Sequence, residues 1–185
     1  MFKNLLIADS GKGQVGEMIN MLRDLPAFKA ARVNLLHVVT EQSKNESEEH
    51  WSEAGNLLSS SVQKLGLNPE EVNSIIRHGD AKQTVLKVAD ELNVDLIVMG
   101  SRGLGRLQSI LSNSASQYVF QLSTRPMLLV RDDLYVRHIN RLMVTIDGTG
   151  VGDDALKLAC EMVRDIPGGQ LTGCLLYTSD AADEE

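Results

Sequence analysis

The chain has 185 residues, 43% hydrophobic and 23% charged, with a formal net charge of −7, enough for one sizeable core with length to spare. The acidic balance excludes wrapping of nucleic acid, which needs a basic face to neutralise phosphates, but it leaves room for one small anionic ligand. Cys160 and Cys174 lack CxxC spacing, His37, His50, His78 and His138 form no i, i+4 pair, and neither a signal peptide nor a membrane-length apolar run is found; a reduced, cytoplasmic protein with no metal and no membrane contact is expected.

Leu5-Leu6-Ile7-Ala8 reads as a buried strand ending at Asp9, and Val15 to Leu25 as an amphipathic helix stopped by Pro26. Val33 to Val39 is the second strand. The acidic stretch Glu41 to Glu53 leads into a helix with Leu57, Leu58, Val62 and Leu65 on one side. Val72 to Arg77 is the third strand, and Ala81 to Leu92 a helix with Val85, Leu86 and Val88 inward. Leu96 to Met99 forms a fourth strand that opens into Gly100-Ser101-Arg102-Gly103; a helix from about Ser114 to Leu122 and a fifth strand, Met127 to Val130, follow.

Strands joined by helical crossovers predict an α/β fold: an open, doubly wound, five-stranded parallel sheet covered on both faces. In the order 3-2-1-4-5, strands 1 and 4 are neighbours and flank the switch point, where such sheets bind ligands. Asp9 and Gly100 then converge on one crevice. A glycine loop between a strand and a helix N-terminus offers backbone N–H groups and a positive dipole end, a phosphate-shaped environment.

Asp132 to Asn140 reads as a polar linker, after which the start of the chain repeats. Leu142-Met143-Val144-Thr145-Ile146-Asp147 echoes Leu5-Leu6-Ile7-Ala8-Asp9, and Arg164-Asp165-Ile166-Pro167 echoes Arg23-Asp24-Leu25-Pro26, at an offset of roughly 140 residues. The expected organisation is a domain over 1–131, a linker over 132–140, and an incomplete second domain over 141–173 holding one strand and one helix. Residues 174–185 carry neither copy's pattern and read as a non-native tail on a truncated tandem protein, or, in the plainer alternative, as a disordered acidic terminus.

Each singled-out residue has a plain reading beside the functional one. Asp9 is a ligand contact or the side chain of an Asx-turn. Gly100 and Gly103 cradle phosphate or only allow a tight turn. Ser114-x-x-Gln117 is a capping-box pattern, which can share a helix end with a phosphate. Arg102 and Arg106 are local positive charge or solvated surface residues. Lys12 is no Walker lysine, since GxxxxGK[ST] is absent. His37 reads as a packed core histidine rather than a base, and Trp51 and Tyr118 as residues that pack or cap surfaces.

The chain resembles the universal stress protein family over residues 1 to about 131, with a weak continuation beyond. The resemblance is carried by Asp9, Leu36-His37-Val38, His78-Gly79-Asp80-Ala81, Asp95 to Gly103, Ser116-Gln117-Tyr118-Val119 and Arg125 to Val130. It implies a Rossmann-like fold of the adenine nucleotide alpha-hydrolase-like type. Nucleotide-binding members of that family carry Gly, two residues, Gly, nine residues, Gly, then Ser or Thr. Gly100, Gly103 and Ser114 match, whereas Asn113 stands where the last glycine belongs. By resemblance, Asp9 would bond the ribose or the adenine edge and the Val38 backbone would meet adenine. The N–H groups around Gly100, Gly103, Asn113, Ser114 and Ala115 would cradle the phosphates.

Asparagine visits left-handed backbone conformations more readily than other non-glycine residues, but its side chain fills space that glycine leaves to a phosphate. Binding weakened rather than abolished is the expectation. The leading function is therefore a stress-response module binding ATP, with magnesium, or a related adenine nucleotide, and no more than slow incidental hydrolysis, since no paired carboxylate, base or metal cluster is evident. The alternative is a non-nucleotide partner-binding or dimerisation protein whose loop is altered at Asn113. An adenylate-forming or pyrophosphatase enzyme would want an HxGH pair or an SGGxDS loop, and neither is present. The resemblance also implies pairing through Met127 to Val130, as a homodimer or between two domains of one chain.

Overall fold

The computed structural model of the chain describes residues 2–9, 22, 25–28, 30–40, 48–65, 72–101, 114–131 and 138–176. Five parallel strands, β1 (Asn4–Asp9), β2 (Arg32–Val39), β3 (Val72–His78), β4 (Leu96–Ser101) and β5 (Met127–Arg131), form one sheet in the order β3-β2-β1-β4-β5. This is the order expected from the alternation of apolar strands and helices. Of the helix expected over 15–25, only Leu22, which is helical, and Leu25 are described; a short 3-10 turn, Pro26–Phe28, follows.

The central strands are apolar on both faces, and both faces are covered. Leu5, Ile7, Leu35 and Val98 pack with Leu22, Leu25, Leu58 and Val62 on one side. Leu6, Leu36, Ile97 and Met99 pack with Val85, Val88, Ala89 and Val119 on the other. Removing each of the Val, Leu, Ile and Met side chains among them from water stabilises the fold by about 1.5–3 kcal/mol, which is why a parallel sheet forms only when covered twice.

Helix α1 (Glu48–Leu65) buries Ala54, Leu58, Ser61 and Val62, the i, i+4, i+7, i+8 stripe of an amphipathic helix. Helix α2 (Ala81–Glu91) is capped by Asp80, whose carboxylate accepts from the Gln83 N–H at 3.0 Å. It ends in a Schellman arrangement: Asn93 has φ 46°, its N–H donates to the Asp90 carbonyl at 3.0 Å, and the Val94 N–H donates to the Ala89 carbonyl at 3.1 Å. Helix α3 (Ala115–Leu122) connects β4 to β5 on the same face as α2.

An asparagine ladder crosses the sheet near its amino-terminal end. Asn34 Nδ2 donates to Asn4 Oδ1 at 2.8 Å and to the Leu5 carbonyl at 2.9 Å, while its Oδ1 accepts from Asn73 Nδ2 at 2.9 Å. Beside it, the Asp95 carboxylate accepts from the backbone N–H groups of Lys3 and Asn4 at 2.7 and 3.1 Å.

Beyond the linker, β6 (Arg141–Ile146), helix α4 (Gly150–Arg164) and β7 (Gln170–Leu175) form a second, two-stranded parallel unit. The expectation of one strand and one helix is corrected here. A second strand is present, and Cys174 and Leu175, read from sequence as tail, lie in it. Gly168, Gly169 and Gly173 dilute the apolar pattern of this segment, so backbone pairing with β6 rather than side-chain alternation defines the strand. Backbone hydrogen bonds recur at the spacing of the sequence echo. Leu25 N–H to Leu22 O and Phe28 N–H to Leu25 O in the first unit correspond to Ile166 N–H to Val163 O and Gly169 N–H to Ile166 O in the second. Ile166 belongs to the same apolar cluster as Leu25 and Phe28, and Ile139, Leu142 and Met162 pack against that cluster.

Candidate functional site

Strand register draws a row of residues across the carboxyl end of the sheet. Asp9 pairs with His37 on β2, and Ala8 pairs with Met99 on β4, so Gly100 stands level with Asp9. Gly100 in turn pairs with Val130 on β5. Neighbouring strands lie about 4.8 Å apart, which brings Asp9 and Gly100 together at the β1/β4 switch point. Leu22 packs in the apolar cluster on the α1 face and Val119 of α3 in the cluster on the other, so β1 and β4 flank the point where the sheet changes winding direction, the place at which open sheets of this kind bind ligands.

Asp9 is only 6% exposed although it ends its strand. Its Oδ2 accepts a hydrogen bond from the Ser61 hydroxyl of α1 at 2.9 Å, and its backbone carbonyl lies 3.1 Å from His37 Nδ1. A carboxylate this buried needs polar partners. Ser61, itself 5% exposed, occupies a position on the apolar stripe of α1 where a hydrocarbon would otherwise sit. Sequence reading passed over Ser61, one of three consecutive serines; the signal available was its i+3 spacing from Leu58.

Val38 is half-buried on β2, in register with Arg77, and packs against the α2/α3 side of the core. Gly100 is exposed. Ser114 is the N-cap of α3 (φ −76°, ψ 151°); its hydroxyl accepts from the Gln117 N–H at 3.2 Å and lies 3.2 Å from the Ser116 hydroxyl. Ala115 is half-buried in the first turn. Gly103, Asn113, Arg102, Arg106 and Lys12 lie outside the described residues. His37 is half-buried and turned to the Asp9 carbonyl, and Trp51 is exposed.

Helices α2 and α3 meet through a cation and a ring. Lys82 Nζ lies 5.7 Å from the centroid of the Tyr118 ring, and Tyr118 is one turn into α3, its N–H donating to the Ser114 carbonyl at 3.1 Å. This end of the sheet thus carries a buried carboxylate acceptor at Asp9, an exposed glycine backbone at Gly100 and a capped helix start at Ser114. Among the described residues, no three His, Cys, Asp or Glu side chains group as a metal site, and no helix is long and apolar enough to cross a membrane.

The second unit treats its strand-end carboxylate differently. Asp147 Oδ1 accepts from the Thr149 N–H at 3.1 Å and the Thr149 hydroxyl at 2.6 Å, in an Asx-turn that leads into α4. The Thr149 side-chain hydrogen bond, then its backbone hydrogen bond, hold the Asp147 carboxyl below its ordinary range.

Residues 1–131 match the Universal stress protein family. The chain belongs to that family. A curated relative, universal stress protein Sll1654 from Synechocystis, is 31% identical over 135 residues, which cover 70% of this chain and 86% of that one. A universal stress protein crystallised in complex with cAMP shares the fold at a TM-score of 0.54 and 15% identity, over 71% of this chain and 98% of its own. The crystal structure of a universal stress protein from Archaeoglobus fulgidus shares the fold at a TM-score of 0.73 and 22% identity; that likeness extends over 97% of this chain and 68% of the other. The five-stranded, 3-2-1-4-5 sheet is the Rossmann-like architecture of these universal stress proteins.

Proposed function

We propose that this universal stress protein domain binds an adenine nucleotide in the Asp9/Gly100 crevice and acts as a binding module rather than a catalyst. The observation that carries the reading is the placement of Asp9 and Gly100 directly after the last β1–β4 pair, Ala8 with Met99, at the switch point of a sheet whose next helix start is capped by Ser114. The Asp9 carboxylate accepts a donor from the ribose or the base. The backbone N–H groups at Gly100, Ser114 and Ala115 receive the phosphates. The cAMP complex of a universal stress protein with the same fold supports the ligand class. Magnesium would accompany ATP on the phosphates, and the protein works in the cytoplasm. Isothermal titration with ATP plus magnesium, and with cAMP, tests the reading. Saturable heat with either supports it, and silence with both refutes it.

A second reading has its own observation. β5 is an edge strand, with Leu129 43% exposed and Phe120 and Leu122 exposed on the adjoining α3. An apolar edge of this kind favours pairing with a second copy. Dimerisation accompanies nucleotide binding in the first reading and replaces it in the second.

A further inference from the structure

We infer that Ser61 is a positioning residue for the nucleotide: its hydroxyl fixes the rotation of the Asp9 carboxylate and so the direction in which that group accepts from a ligand. This rests on the nucleotide reading above. Three observations carry it. First, Ser61 sits at a core position of α1, between Leu58 and Val62, and is almost fully buried. A hydroxyl there costs stability relative to a hydrocarbon unless it is hydrogen-bonded. Second, its bond runs across elements to Asp9 Oδ2 at 2.9 Å, not to the helix backbone, where a mid-helix serine ordinarily turns. Third, the Asp9 main chain is held separately by His37 Nδ1, 3.1 Å from its carbonyl. With the backbone held from β2 and Oδ2 held from α1, the carboxylate plane has little freedom. A serine hydroxyl has one proton to give, and giving it to Oδ2 leaves Asp9 an acceptor toward any further partner. The ligand group it suits is therefore a donor, a ribose hydroxyl or an exocyclic amine.

The test is a double-mutant cycle on the full chain, read by isothermal titration with ATP and magnesium, with thermal melts confirming that each variant is folded. Ser61→Ala is expected to weaken ATP binding about five- to tenfold in the wild-type background. In the Asp9→Ala background it should change binding less than twofold, because the carboxylate that Ser61 aligns is gone. Ser61→Thr, which keeps the hydroxyl, should restore most of the affinity. Where Ser61→Ala does not fold, the near-isosteric Ser61→Cys carries the comparison and must bind several-fold more weakly than Ser61→Thr. Equal losses in both backgrounds, or no loss in the wild-type background, overturn the inference while leaving nucleotide binding standing. A wild-type chain that binds neither ATP nor cAMP overturns both.

Discussion

Asp9 and Asp147 each close an apolar strand of a repeated unit, yet their carboxylates turn opposite ways. Asp9 reaches inward to the Ser61 hydroxyl, 52 positions away, while Asp147 folds back on Thr149, two positions away. The difference is one of covering. A long helix lies over the end of β1 and supplies a buried donor, whereas the Asp147 side chain is exposed at the start of α4 and takes the nearest donors available. The first unit thus buries its carboxylate against a neighbouring helix, and the second uses one to shape a turn.

That contrast predicts a pH effect. The folded-state pKa of Asp147 is lowered from 3.8 by the hydrogen bonds from Thr149, so its contribution to stability is fully present above the unfolded-state value. It is lost as pH falls through the lower folded value. Thr149→Val should move the carboxyl back toward 3.8. A carbon-13 titration of the aspartate carboxyls reads this directly; an unchanged Asp147 midpoint in the variant would refute the assignment.

Nucleotide affinity should depend on Asp9 more than on any other side chain of the crevice. Asp9→Ala is expected to weaken ATP binding by at least tenfold, since a hydrogen bond to a charged group contributes about 1.5–3 kcal/mol. The same variant should also lower stability by about 1–3 kcal/mol by leaving Ser61 without its buried acceptor. Titration calorimetry and urea unfolding separate the two effects.

Position 113 discriminates between the two functional readings. Asn113→Gly should raise ATP affinity if the asparagine obstructs the phosphate path, and lower it if the asparagine amide itself donates to the ligand. A protein that binds no nucleotide in either form, yet dimerises, would favour the partner-binding reading.

The helix start can be tested apart from the carboxylate. Ser114→Ala removes the acceptor for the Gln117 N–H and should cost about 1 kcal/mol in folding stability. It should weaken ATP less than Asp9→Ala does, because backbone N–H groups, not the hydroxyl, meet the phosphates.

At the opposite end of the sheet, Asn34→Ala should be costly to folding and neutral to the site. The variant leaves Asn4 Oδ1 and Asn73 Nδ2 without their partner, which predicts a loss of about 1–3 kcal/mol. ATP affinity, measured in the folded fraction, should stay within twofold. A loss of affinity without a loss of stability would contradict the placement of the ladder away from the crevice.

Sequence by itself determined the α/β class, the order of the elements and the convergence of Asp9 on Gly100. Apolar runs bounded by glycine and proline state which residues leave water, and right-handed crossovers leave few ways to arrange them. Ser114 as a helix cap was equally legible, because capping is a contact between residues three apart. Only the tertiary structure decided what Asp9 faces, that Ser61 is buried, that Asn4, Asn34 and Asn73 join across three strands, and that residues 170–175 form β7. These depend on polar groups meeting across elements far apart in sequence. Periodicity reports the face of an element that is buried, but not the partner that packs against it. A serine in a polar run and an asparagine in an apolar strand look like interruptions until the opposing chain brings a hydrogen-bonding atom within about 3 Å.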